Sequence, residues 1–113
     1  MSQITTHILD TARGCPAEGV SIVLYQQRDE HWIELARGVT NSDGRVANLL
    51  EKDQLLDAGT YRVYFEVSGY FRNRGHNLFY PYVDVVFNID GDGQHYHIPL
   101  LLSPYGYSTY RGS

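Results

Sequence analysis

The stretch from His95 to Ser113 constrains the fold of this chain more than any other. It reads His95-Tyr96-His97-Ile98-Pro99-Leu100-Leu101-Leu102-Ser103-Pro104, then Tyr105-Gly106-Tyr107-Ser108-Thr109-Tyr110-Arg111-Gly112-Ser113. In an extended strand, alternate side chains point to opposite faces. His95, His97, Pro99 and Leu101 therefore share one face, and Tyr96, Ile98, Leu100 and Leu102 the other. The second set is a core face. The first would meet water in a lone sheet, and a strand apolar on both faces is normally covered on both. The expected cover is a second copy of the chain, packed face to face in a symmetric oligomer. Chain ends fray unless something holds them. The alternation of Tyr, Ser and Thr up to Tyr110 predicts a final strand instead, and a terminus that lines a site.

The same period of two recurs along the chain. It predicts strands at residues 5–11, 20–27, 31–40, 60–67, 79–89, 95–102 and 105–110, with a short one opening at 45–47. Val20, Ile22 and Leu24 make one strong apolar face, and Tyr61, Val63, Phe65 and Val67 another. Turns fall at 13–16, 29–30, 41–44 and 88–93, with Asp43-Gly44 the sharpest signal. Residues 68–75 suit one short helix, and 49–57 a helical turn. About eight strands separated by turns predict an all-β, antiparallel two-sheet sandwich spanning residues 1–113 as one domain.

Composition narrows the function. A formal net charge of −4 leaves no basic stripe, which argues against a nucleic-acid partner. No apolar run approaches the ~20 residues of a membrane-spanning helix. The opening Met-Ser-Gln-Ile-Thr-Thr-His has no signal-peptide pattern, and Arg-Gly-Ser is not a peroxisomal ending, so the expected location is cytoplasmic. Cys15 is the only cysteine, so no internal disulfide helps the core.

His7, His95 and His97 are the first candidates for chemistry, because a neutral imidazole takes a proton near pH 7. The ordinary alternative for each is a hydrogen-bonded strand histidine. His31 and His76 lie in turn-like contexts and read as solvated. A zinc site on His95, His97 and His7 is a competing reading, unsupported by Cys or Glu in the same segments. Arg45 follows a tight turn and could present a planar donor fork to a carbonyl-rich ligand; a solvated arginine is the commoner case, and the same holds for Arg111. Ser113 has no Gly-x-Ser-x-Gly elbow around it and reads as a positioning group, not a nucleophile. Cys15 has no activating partner in sequence.

Several motifs together carry a resemblance. They are Thr6-His7-Ile8-Leu9-Asp10-Thr11 with Gly14-Cys15-Pro16-Ala17; Thr40-Asn41-Ser42-Asp43-Gly44-Arg45; Phe79-Tyr80-Pro81; the run from His95 to Pro104; and the closing Tyr110-Arg111-Gly112-Ser113. With these the chain closely resembles the transthyretin-related proteins, the 5-hydroxyisourate hydrolases, from about Ile4 to its last residue. Hormone-carrying transthyretins share the fold but lack that ending and the site histidines. The resemblance implies a transthyretin-like homotetramer around a central channel, with hydrolysis of 5-hydroxyisourate and no cofactor or metal. It places catalytic roles on His7, Arg45, His97 and Ser113, and substrate contacts on these and on Tyr110, Arg111 and Gly112. His95 gets a supporting role at most. The other reading it leaves is a small-ligand carrier without catalysis.

Overall fold

Alternation decides which side of each strand is buried, and burial in turn fixes how the strands are layered. The computed structural model describes residues 2–112. Eight strands run in chain order as β1 (Ile4–Asp10), β2 (Cys15–Pro16), β3 (Ser21–Arg28), β4 (His31–Val39), β5 (Gly59–Glu66), β6 (Val83–Ile89), β7 (Tyr96–Ser103) and β8 (Gly106–Thr109), with a helix α1 (Ser68–Asn73) between β5 and β6. They form two four-stranded sheets, ordered β2-β1-β7-β8 and β4-β3-β5-β6. The inner faces meet in a single core: Ile4, Ile8, Tyr96, Leu100 and Leu102 from one sheet, and Ile22, Leu24, Tyr61, Val63, Phe65 and Val83 from the other. Tyr96, Ile98, Leu100 and Leu102 are buried, as the alternation predicts, and His97 and Leu101 lie half-buried on the outer face.

One pairing is not antiparallel. β1 and β7, near opposite ends of the chain, run parallel from Ile4 opposite Tyr96 to Asp10 opposite Leu102. That register aligns Thr5, His7 and Leu9 with His97, Pro99 and Leu101 on the outer face.

Four expectations are corrected. Residues 45–47 form no strand; Arg45 makes only an isolated bridge to His7. Cys15 and Pro16, expected in a turn, pair with Asp10 and Leu9 as β2. Residues 49–57 are not helical. Their backbone is held by the chain's first residues instead: Leu50 N donates to Ser2 Oγ at 3.0 Å and Leu56 N to Gln3 Oε1 at 2.8 Å. β6 begins at Val83, not 79. Pro81 lacks an N–H for the ladder, and Phe79 and Tyr80 instead pack edge to face, reaching Tyr105 and Tyr107 of the β7–β8 hairpin. Helix α1 falls within the predicted span and buries Tyr70 and Phe71. Among the described residues, no helix is long and apolar enough to cross a membrane.

Candidate active site

The outer face of the β1–β7 pair carries the imidazoles, and a structural device at each edge completes it. On the β1 edge, Asn41 organises a turn. Its Oδ1 accepts from Asp43 N at 2.9 Å and Arg45 N at 3.1 Å, while Asn41 N donates to Arg45 O at 2.8 Å. Gly44 O then accepts from Ile8 N at 2.9 Å, which docks the turn on β1. Gly44 has φ +73°, and a Cβ there would stand 2.5 Å from Ile8 O. Only glycine lets the turn approach so closely. The result is Arg45 bridged directly opposite His7.

On the β7 edge, Gly112 bridges His97, its N–H donating to His97 O at 2.8 Å. A Cβ on Gly112 would lie 2.5 Å from His97 Cδ2 and 3.2 Å from its Cγ. Gly112 therefore makes room for the imidazole and is held to β7 by an isolated sheet-like bond, beyond the final strand expected at 105–110.

Between these edges lies a cleft of about 500 Å³ lined by Ser2, Thr5, Thr6, Asn41, Arg45, Val46, Ala47, Asn48, His95 and His97. That is a size suited to a small ligand. His7 stands one row along on the same face, half-buried. Thr5 Oγ1 lies 2.8 Å from both His95 Nε2 and His97 Nδ1. Among the described residues, no group of three or more His, Cys, Asp or Glu side chains is placed to hold a metal ion.

Both half-buried imidazoles are biased toward the neutral form. Burial lowers the pKa of His97 below 6.5, and the charges of Arg45, His95 and His7 lower it further, with a backbone hydrogen bond to Thr5 opposing part of the effect. His7 is lowered by burial and then by Arg45, with Asp43 opposing part of the effect. Desolvation and like charge both disfavour a cation, so each ring keeps a lone pair at pH 7. Beside them the Arg45 guanidinium remains a permanent positive charge.

The structure thus brings together His97, Arg45 and Gly112, with His7 adjoining. Tyr110 and Arg111, expected on the wall of the same site, go elsewhere within this chain. The Arg111 guanidinium lies over the Tyr96 ring, 4.6 Å from its centroid, and donates to Gln94 Oε1. Tyr96 points to the core side, so Arg111, itself exposed, covers that ring and not the histidine face. Tyr110 and Arg111 line a second cleft of about 260 Å³ with Val85, Phe87 and Ile98. Ser113 lies outside the described residues. Thr5 and Asn41, placed by the sequence in a strand and a turn, were not among its candidate site residues. Thr5 lies two residues before His7 and so on its face, but only the parallel register reveals that it faces His97.

A two-sheet sandwich with neutral imidazoles and a guanidinium on one outer sheet face defines a class: a β-sandwich equipped for polar acid–base chemistry on a small ligand. Comparison with known proteins narrows this. The chain belongs to the HIUase/Transthyretin family, whose model matches residues 4–112. It is 47% identical to the 5-hydroxyisourate hydrolase of Mus musculus, over 99% of this chain and 96% of that protein. The structure of Klebsiella pneumoniae 5-hydroxyisourate hydrolase matches with a TM-score of 0.83 and 39% identity, over 97% of this chain and 98% of that one. Sea bream transthyretin, solved in complex with thyroxine, matches with a TM-score of 0.91 and 36% identity, over 98% and 95%.

Proposed function

We propose that this protein is a 5-hydroxyisourate hydrolase, a cyclic amide hydrolase that opens the six-membered ring to give 2-oxo-4-hydroxy-4-carboxy-5-ureidoimidazoline in urate degradation. The observation that carries this reading is the placement of two half-buried imidazoles, His7 and His97, and the Arg45 guanidinium on one face. Full-length relatives bearing that enzyme's name support it.

Water attacks an activated ring carbonyl as His97 or His7 takes its proton, and the C–N bond then breaks with return of a proton to the departing nitrogen. Placement of the water and positive charge at the developing oxyanion lower the barrier. Arg45 holds the carbonyl-rich ring and stabilises the oxyanion. Ser113 positions substrate or water. These steps call for no cofactor. The enzyme works as a homotetramer in which histidine faces of different subunits oppose one another, and the half-buried Leu9 and Leu101 on that face fit such a contact. A carrier without catalysis would want an apolar channel, and this face sets imidazoles and a guanidinium beside its leucines.

The test is the absorbance decay of freshly generated 5-hydroxyisourate, measured as the increment over spontaneous decay in buffer. The wild-type protein accelerates it, and His97→Ala or Arg45→Ala lowers turnover by ~10²-fold or more. Wild-type rates in both variants would overturn the assignment.

A further inference from the structure

Thr5 has no part in the steps above, yet its hydroxyl sits between two of the rings. Oγ1 lies 2.8 Å from His95 Nε2 and 2.8 Å from His97 Nδ1. The two rings are stacked at 18°, with centroids 6.4 Å apart. A threonine hydroxyl has one proton and two lone pairs. It donates to at most one of these nitrogens, so at least one of them carries a hydrogen. The tautomers of His95 and His97 are therefore linked through Thr5.

One of the allowed arrangements suits a base. If His97 Nδ1–H donates to Thr5, its Nε2 keeps a lone pair for chemistry, and the Thr5 hydroxyl donates to His95 Nε2. We propose that Thr5 is a positioning residue that holds His97 in this tautomer and relays a proton between His97 and His95. The proposal rests on the hydrolase reading. As the water oxygen bonds to the carbonyl carbon, its proton goes to His97 Nε2. The Nδ1 proton of His97 passes to Thr5 Oγ1 while the hydroxyl's own proton passes to His95 Nε2. The positive charge thereby leaves His97, beside Arg45, for His95, which is the more exposed of the two within one chain. When the C–N bond breaks, the Nε2 proton goes to the departing nitrogen and the relayed proton returns by the same route. All three side chains end as they began, and the net change is addition of water across the C–N bond.

Thr5→Val keeps the shape and the β-branch but removes the hydroxyl. It is expected to lower kcat about tenfold or more, within the range of acid–base contributions, with KM changed by less than about twofold. Thr5→Ser restores most of kcat. His95→Phe gives a loss comparable to that of Thr5→Val. In wild type, ¹⁵N NMR of labelled histidines finds neutral His97 in the Nδ1–H form, and Thr5→Val weakens that preference, since the Thr5 backbone contact to His97 remains. Full kcat in Thr5→Val or in His95→Phe, failure of Thr5→Ser to rescue, or an Nε2–H tautomer at His97 in wild type would each overturn the relay. Wild-type protein that does not exceed the buffer rate defeats the hydrolase reading instead, and the tautomer spectrum still decides whether Thr5 sets His97.

Discussion

His97 and His7 are useful as bases for the same reasons that make them vulnerable in acid. Their folded pKa values lie below 6.5, through burial first and Arg45 next. In the unfolded chain both titrate near the reference value of about 6.5. Above that pH neither state is protonated and these groups leave stability unchanged. Below it the unfolded chain takes up protons that the folded chain does not, so stability falls as pH drops from ~6.5 toward the depressed folded values. Activity should fall with the lone pairs, and its acid limb should be centred below the ordinary imidazole value. The check is a pair of profiles, kcat and Tm from about pH 8 to 5, for wild type and His97→Asn. The variant should lose less Tm on acidification than wild type. An equal or steeper loss would mean that His97 is not held neutral by its surroundings. At this scale the sequence named candidates without choosing among them. The strand face offered His95 and His97 alike, and the resemblance singled out His97; His7 and Arg45 were candidates by residue type and turn context, and the fold sets them opposite one another. Thr5 was not among them, because its importance depends on a partner more than ninety positions away in sequence.

Elements with clean alternation could be read from the sequence because one face is wholly buried. β3 and β5, with Ile22, Leu24, Tyr61, Val63 and Phe65 at no exposure, are the clearest cases. Segments fixed by side-chain-to-backbone bonds have no such period, and the Leu50–Leu56 stretch held by Ser2 and Gln3 was misread for that reason. β2 is too short to show any period. The Asn41–Arg45 turn carried a strong local signal, but not its docking on β1, which Gly44 permits. Gly44→Ala tests that docking. A side chain at φ +73° is strained by about 1–2 kcal/mol, and a contact of 2.5 Å with the Ile8 carbonyl forces the turn away. The expected result is a loss of roughly 1–3 kcal/mol of stability by denaturant melting, together with a raised KM as Arg45 leaves its place opposite His7. Unchanged melting and KM would show that the close approach is dispensable.

At the scale of the whole molecule, the outer face of the β2-β1-β7-β8 sheet is a surface that one chain covers only in part. Within one chain it leaves Leu9 and Leu101 partly exposed beside the imidazoles, and the sheet ends at β8 with an unpaired edge among the described residues. Exposed edges and apolar sheet faces are normally covered. A symmetric assembly would cover the face and also shield the cleft from bulk water, which strengthens every charge interaction inside it. Assembly and catalysis should therefore fail together. Light scattering at micromolar concentration should give four times the 12.9 kDa chain mass. Leu101→Glu places a charge on the outer face without touching the core, so it should yield smaller, folded species with little activity. Leu100→Glu, pointing into the core at no exposure, should instead unfold the chain. A wild-type monomer would remove the tetramer. A Leu101→Glu protein that stays tetrameric and fully active would move the subunit contact to another surface.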